Sequence, residues 1–248
     1  MKRYINAFAM CQSMFCAIPF PWNVWDEDAR DKMLLFLPAV GLEIGFFWFL
    51  AWLVCCQFAL PVAVRALIMT ALPFVLTGFI HLDGFMDVND AIKSCRNLEK
   101  RRAILKDPHV GSFAVISCVL LLLCHFALFL SIESGLGILV FIPAVSRCCS
   151  AIGITLLKPM STSQYAELVR HPIRAYVLIA MLAFFVLAGF LLCGLSASAL
   201  LGCMLGCGIS ILNGYRKLDG MNGDISGYAI TVGEIWGVAV LALMGGFL

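Results

Sequence analysis

Residues 81–91, HLDGFMDVNDA, place three carboxylates, Asp83, Asp87 and Asp90, at positions i, i+4 and i+7. On a helix advancing 100° per residue they fall within an arc of about 60° on one face. Carboxylates that close repel one another unless a cation sits between them, and hard oxygen ligands select Mg²⁺, Mn²⁺ or Ca²⁺. Mg²⁺ usually retains water and takes its remaining ligands from substrate phosphate oxygens. A triad of this kind could hold such an ion against a phosphate ester, but its spacing is shared by several groups of membrane transferases and by itself names no substrate. Asn89 could add a neutral oxygen. The plainer reading is a solvated acidic patch at a helix end, balanced by the basic residues that follow, and spacing alone does not separate the two.

Two further segments carry polar groups suited to the same work. In LDGMNGDISGY, residues 218–228, Gly220, Gly223 and Gly227 would let backbone approach a phosphate closely, and Asp219 and Asp224 could complete a metal site; the alternative is an ordinary Gly-rich turn. In LKDPHVG, residues 105–111, His109 could contact phosphate or relay a proton beside Lys106 and Asp107, or the segment is simply a turn around Pro108. Arg101 and Arg102 are candidates for phosphate binding or for mere membrane-side charge bias. Three ionisable residues, Glu43, Arg147 and Glu234, fall inside apolar runs, where charge is rare and usually paired or facing a polar cavity. Arg147, preceded by Ser146, could neutralise a substrate phosphate from within the bundle; an Arg147–Glu pair is the competing reading.

The elements that must position these residues are membrane helices. Of the 248 residues, 62% are hydrophobic and 13% charged, and the mean hydropathy is +0.98. A soluble domain is nearer one quarter charged. Apolar runs of about 20 residues recur, the length needed to cross ~30 Å of hydrocarbon, and they are continuous rather than alternating, which selects helices over a barrel. The pattern predicts an all-α, polytopic transmembrane bundle forming a single domain over 1–248. It has an interfacial or half-inserted helix over 4–20 and about seven spans, near 34–58, 63–82, 111–131, 135–157, 175–193, 196–213 and 226–248. All of the 17 lysines and arginines except Arg65 and Arg147 fall in segments that such a topology puts on one side. That bias predicts a cytosolic N-terminus and cytosolic polar loops. The 12 cysteines lie largely in apolar runs without zinc-ligand spacing and read as packing residues. No cleaved signal is expected, and nothing resembles a nucleic-acid-binding patch.

The motifs together resemble a known family. LTGFIHLDGFMDVNDA is similar to the T-G-G-x-H-L-D-G-x-x-D-x-x-D-G signature of cobalamin 5′-phosphate synthase, also called adenosylcobinamide-GDP ribazoletransferase, with Thr77, Gly78, His81, Leu82, Asp83, Gly84, Asp87 and Asp90 matching. LKDPHVGSFAV resembles its M-R-D-S-R-x-G-x-x-G segment at Asp107 and Gly111. PAVSR matches A-x-S-R at Ser146 and Arg147. LDGMNGDISGYAITVGE resembles its last motif at Gly220, Gly223, Asp224, Gly227 and Glu234, and FLPAVGLEIG its first span. This chain departs from the pattern at Ala91, at Phe15-Cys16, and at His109, Asn222 and Thr231. The resemblance implies that adenosylcobinamide-GDP is attacked by α-ribazole or its 5′-phosphate, releasing GMP. It implies Mg²⁺ held by Asp83, Asp87, Asp90 and Asp224. Substrate contacts would come from Ser146, Arg147, Asp107, His109, Asn222 and Gly223, with a general base among Asp87, Asp90 and His81. It also implies a multi-pass protein of the cell inner membrane, in contact with lipid; a homo-oligomer stays open.

Two rivals differ in signature. CDP-alcohol transferases expect D-G-x-x-A-R and a later G-x-x-x-D-x-x-x-D, whereas Asp87 is followed by Val88 and no second half follows; prenyl transferases expect two Asp-rich repeats. A small transporter would string ionisable residues across mid-membrane positions, and here they cluster at span ends.

Overall fold

The computed structural model describes residues 2–22, 24–160 and 172–244. Among these the regular structure is helical: α1 (Lys2–Phe15), α2 (Glu27–Arg30), α3 (Met33–Gln57), α4 (Val62–Leu76), α5 (Ile80–Lys93), α6 (Leu98–Ile104), α7 (Ser112–Ser131), α8 (Ile142–Leu156), α9 (Pro172–Cys193), α10 (Ser198–Leu218) and α11 (Gly223–Met244). Short 3₁₀ turns at Leu136–Val140 and Gly194–Ala197 precede α8 and α10. Arg170, counted above among the one-sided basic residues, and the end of the last expected span lie outside the described residues.

Five stretches are long and apolar enough to cross a membrane: Met33–Gln57, Ser112–Ser131, Leu136–Leu156, Pro172–Leu218 and Gly223–Met244. A sixth arises if α4 and α5 count together. Pro172–Leu218 is itself folded back on itself at the second 3₁₀ turn, so that Gly189 of α9 packs against Leu200 of α10. The expected continuous span over 63–82 is broken. α4 stops at Leu76, Gly78 and Phe79 both take left-handed φ values of +58° and +63°, and α5 leaves at 91° to α4. Two consecutive left-handed residues cannot continue a right-handed helix. α5 is therefore turned across the end of the bundle instead of running through it.

The N-terminal helix is shorter than expected and stops at Phe15. Its buried residues Ala7, Met10, Cys11 and Phe15 form one stripe, and Phe8 meets Phe36 of α3 edge to face at 5.8 Å. At 14 residues it is about 21 Å long, too short to cross. The 24–31 connector holds it from below, through Arg3–Asp28 and Asn6–Asp26.

The centre of the bundle is α8, α10 and α11. α10 and α11 run antiparallel in close contact: Gly202 meets Val240, Gly206 meets Trp236 and Gly214 meets Ile225. Small residues of this kind let helix backbones approach in lipid, where packing rather than hydrophobicity drives association. α8 is the most deeply buried element; its Ile142 and Ser146 carbonyls face the thiols of Cys203 and Cys207. All 12 cysteines are free. α3, α4 and α7 complete a second side, where Trp48 donates from Nε1 to the Met69 carbonyl (2.8 Å) and packs on Phe129.

Candidate active site

The chain order of these helices brings the starts of α3, α7, α9 and α11 and the ends of α8 and α10 to one end of the bundle. α5 crosses this end. It lies over the first turns of α11, and the crossing is tight because two glycines face it. A Cβ at Gly84 would come within 2.9 Å of the Asp224 carbonyl oxygen, and one at Gly227 within 3.0 Å of the His81 carbonyl oxygen. Thr231 Oγ1 donates to that same His81 carbonyl (3.1 Å). The crossing sets Asp83 and Asp87, which flank Gly84, beside Asp224.

Asp83, Asp87 and Asp224 thus share the crossing, with Asp90 one turn further along α5. Asp83, Asp224 and Asp90 all exert their negative charge on the half-buried Asp87, and Asp83 does so on Asp224. Asp224 is oriented by Asn222: its Nδ2 donates to Asp224 Oδ2 (2.6 Å), while its Oδ1 accepts from the Ile225 amide (3.0 Å) and caps the start of α11. Gly223 is the first residue of that helix. Asp90 sits against Gly111 and the amide of Ala114 (3.4 Å), so the 107–111 turn ends at the carboxylate face. Among the described residues none of the four carboxylates has a basic side chain in an ion pair. No group of three or more His, Cys, Asp or Glu side chains among them is closed tightly enough to ligate an ion as it stands. The donor set is all oxygen and all anionic, which fits a hard divalent cation.

The remaining residues expected from sequence divide into two groups. Asp107 and His109 share an exposed turn. His109 donates its amide to Asp107 Oδ1 (3.0 Å), and its ring Nδ1 lies 2.7 Å from the same oxygen. That backbone hydrogen bond and then the ring hold the Asp107 carboxyl below the usual carboxylate range. His81, in contrast, is not brought to the carboxylates. It lies on the other side of α5, buried, with its ring stacked on Phe15 of α1 at 5.9 Å. Arg147 is also withdrawn. It is 1% exposed, and its Nη1 donates to Glu234 Oε1 (2.5 Å), the Pro143 carbonyl (3.0 Å) and Ser146 Oγ (3.2 Å). The Arg147–Glu pair that the sequence left open as one reading is present, with Glu234. Three buried polar atoms around this region, Gln12 Oε1, His81 Nε2 and Arg147 Nε, have no hydrogen-bond partner among the described residues.

A cavity of about 530 Å³ opens beside Asp83, between the end of α1 and the α4–α5 turn, lined by Ser13, Met14, Cys16, Ala17 and residues 77–80. The sequence reading singled out none of its α1 residues as functional.

Arg102 is a structural residue that the sequence reading left undecided. It donates from Nε to the Leu218 carbonyl (3.0 Å) and from Nη2 to the Asp219 carbonyl (2.7 Å) and Oδ2 (3.1 Å). Arg101 reaches the Lys217 carbonyl (3.3 Å). α6 thus fastens the α10–α11 turn that precedes Asp224, and no sequence signal short of the pairing itself would have shown it.

Comparisons with known proteins agree with this architecture in extent. The family model described as cobalamin-5-phosphate synthase matches residues 7–242. An adenosylcobinamide-GDP ribazoletransferase of Clostridium perfringens (strain SM101 / Type A) is 36% identical, over 98% of this chain and 100% of that protein. The enzyme of the same name from Clostridium botulinum (strain Alaska E43 / Type E3) is 33% identical over 96% and 97%. That from Clostridioides difficile (strain 630) is 28% identical over 95% of each. No solved structure is a significant match. With a family match running almost end to end, and with the motif residues of α5 and α11 packed against one another, this chain belongs to the cobalamin-5-phosphate synthase family.

Proposed function

We propose that this protein catalyses the reaction named for its relatives: transfer of the phosphocobinamide group of adenosylcobinamide-GDP to α-ribazole or its 5′-phosphate, with release of GMP. The observation that supports the reading is the packing of α5 on α11 at Gly84, which sets Asp83 and Asp87 beside Asp224, with Asp90 one turn further along α5 and no basic ion-pair partner for any of the four among the described residues. Four carboxylates crowded together without a cation are costly, and a divalent ion relieves that cost. Asp83, Asp87, Asp90 and Asp224 would hold Mg²⁺, which when bound neutralises charge that grows on the pyrophosphate oxygens as GMP departs.

The protein's own residues have separate tasks. A ribose hydroxyl of the acceptor attacks the cobinamide-linked phosphorus, the bond to GMP breaks, and the hydroxyl proton passes to a carboxylate. Asp87 or Asp90 would accept it; the burial of His81 against Phe15 weighs against that side chain. Asn222 fixes the Asp224 carboxylate, and the start of α11 at Gly223 offers backbone amides to a phosphate. His109 and Asp107, on the turn leading to Asp90, would meet substrate at the rim. The one-sided lysines and arginines support a cytosolic position for this end in an inner membrane.

The test is conversion of adenosylcobinamide-GDP and α-ribazole by membranes carrying the protein, read as GMP release, with and without EDTA. EDTA should stop turnover and Mg²⁺ restore it. Asp83→Ala should abolish turnover while the protein still inserts at normal levels. Full activity of that variant would remove the carboxylates from the mechanism.

A further inference from the structure

The Arg147–Glu234 pair lies well away from the carboxylates. Ten residues of α11 separate Glu234 from Asp224, about 15 Å along the helix. Side-chain exposure is 1% for Arg147 and 7% for Glu234. Gly41 of α3 closes over the Arg147 side chain, so that a Cβ there would strike it and the Pro143 carbonyl. Nη1 of the guanidinium is already engaged by Glu234, the Pro143 carbonyl and Ser146.

The pair is nonetheless the first rung of a continuous connection to the reaction end. Ser146 Oγ donates to the same Glu234 Oε1 (2.9 Å). One turn nearer the reaction end, Ser150 of α8 hydrogen-bonds Ser226 of α11. Between these rungs Thr231 of α11 holds the His81 carbonyl of α5, and Gly227 lies against the same carbonyl. α8 therefore fixes the axial position of α11, and α11 fixes α5.

We propose that Arg147 and Glu234 are positioning residues. They set the axial register of α11 against α8, and through it the distance of Asp224 from Asp83 and Asp87, without touching substrate. The proposal rests on the reading of the four carboxylates as the reaction centre. A buried charge left alone is far more disruptive than a buried pair, whereas replacing both members by apolar residues of similar volume is often tolerated. This asymmetry separates positioning from substrate binding.

The experiment measures kcat and KM for adenosylcobinamide-GDP in Arg147→Lys, Glu234→Gln, Arg147→Met and Arg147→Met/Glu234→Met, with membrane levels quantified in parallel. A positioning pair loses kcat with KM held within about threefold in Arg147→Lys and Glu234→Gln. The double Met variant then regains about tenfold or more over Arg147→Met. Arg147→Lys and Glu234→Gln keep the test decisive if the Met variants fail to accumulate. A KM raised by about thirtyfold or more with kcat retained in Arg147→Lys would make Arg147 a substrate ligand and overturn the proposal. So would a double Met variant that is present at wild-type level yet no better than Arg147→Met. Wild-type turnover in EDTA would instead remove the metal reading and leave the kcat and KM comparison intact.

Discussion

Replacing Gly84 by alanine probes the crossing on which the site depends. A Cβ at this position falls 2.9 Å from the carbonyl oxygen and 3.0 Å from the Cα of Asp224. Both are backbone atoms in the first turn of α11 and cannot rotate aside. Comfortable contacts lie near 3.5–4.0 Å, so the helices must part by about 0.5–1 Å. The facing glycine, Gly227, already brings its helix within reach of the His81 carbonyl, and leaves no slack on the other side. Overpacking of this kind costs roughly 1–3 kcal/mol. The effect on chemistry is larger, because reacting groups must be held to about 0.5 Å and a displacement of about 1 Å can cost about 10²-fold. Gly84→Ala should therefore remain folded and lose about 10- to 100-fold in kcat. The matched control is Gly208→Ala on α10, where an added Cβ meets nothing within 4 Å; helix propensity there favours alanine by up to about 1 kcal/mol. GMP release and thermal unfolding measured side by side on the two purified variants decide the matter. Equal, wild-type turnover in both would refute the close-crossing argument.

Arg102→Ala should loosen the α10–α11 turn. Its guanidinium makes three hydrogen bonds to Leu218 and Asp219 from a side chain 29% exposed. The expected loss is about 1–2 kcal/mol after allowing for solvent screening, read by thermal unfolding; no loss would mean that the α6 contacts do not hold the turn. The Asp107 carboxyl is held below its ordinary value of 3.8 by the His109 amide first and the His109 ring second. A depressed carboxylate contributes its stabilisation above 3.8 and loses it as the pH falls through the lowered value. His109→Ala keeps the amide and removes the ring, so the Asp107 pKa should rise only part of the way to 3.8 in a carboxyl-carbon NMR titration. A value that does not move would show that the ring contributes nothing.

The sequence by itself determined that this is a helical membrane protein and which short segments carry its clustered carboxylates. Continuous apolar runs and the one-sided lysines and arginines are local, one-dimensional signals, and the i, i+4, i+7 spacing of Asp83, Asp87 and Asp90 follows from helix geometry once residues 80–93 are helical. The same arithmetic could have set His81 on the opposite side of α5, where the structure finds it. The break at residues 77–79 was less legible: Gly78 is an ordinary small residue in an apolar run until the chain around it turns left-handed.

Only the tertiary structure decided which of the scattered polar residues meet. Asp224 reaches the α5 carboxylates because Gly84 and Gly227 allow two helices to cross at backbone contact. Arg147 is taken by Glu234, and Arg102 by the turn at residues 218–219. Each of these partners lies far along the chain from the residue it engages, and no periodicity links them. Inside a membrane a buried cation must find whichever anion or carbonyl the packing places beside it. That choice belongs to the arrangement of the helices and not to any segment of the sequence.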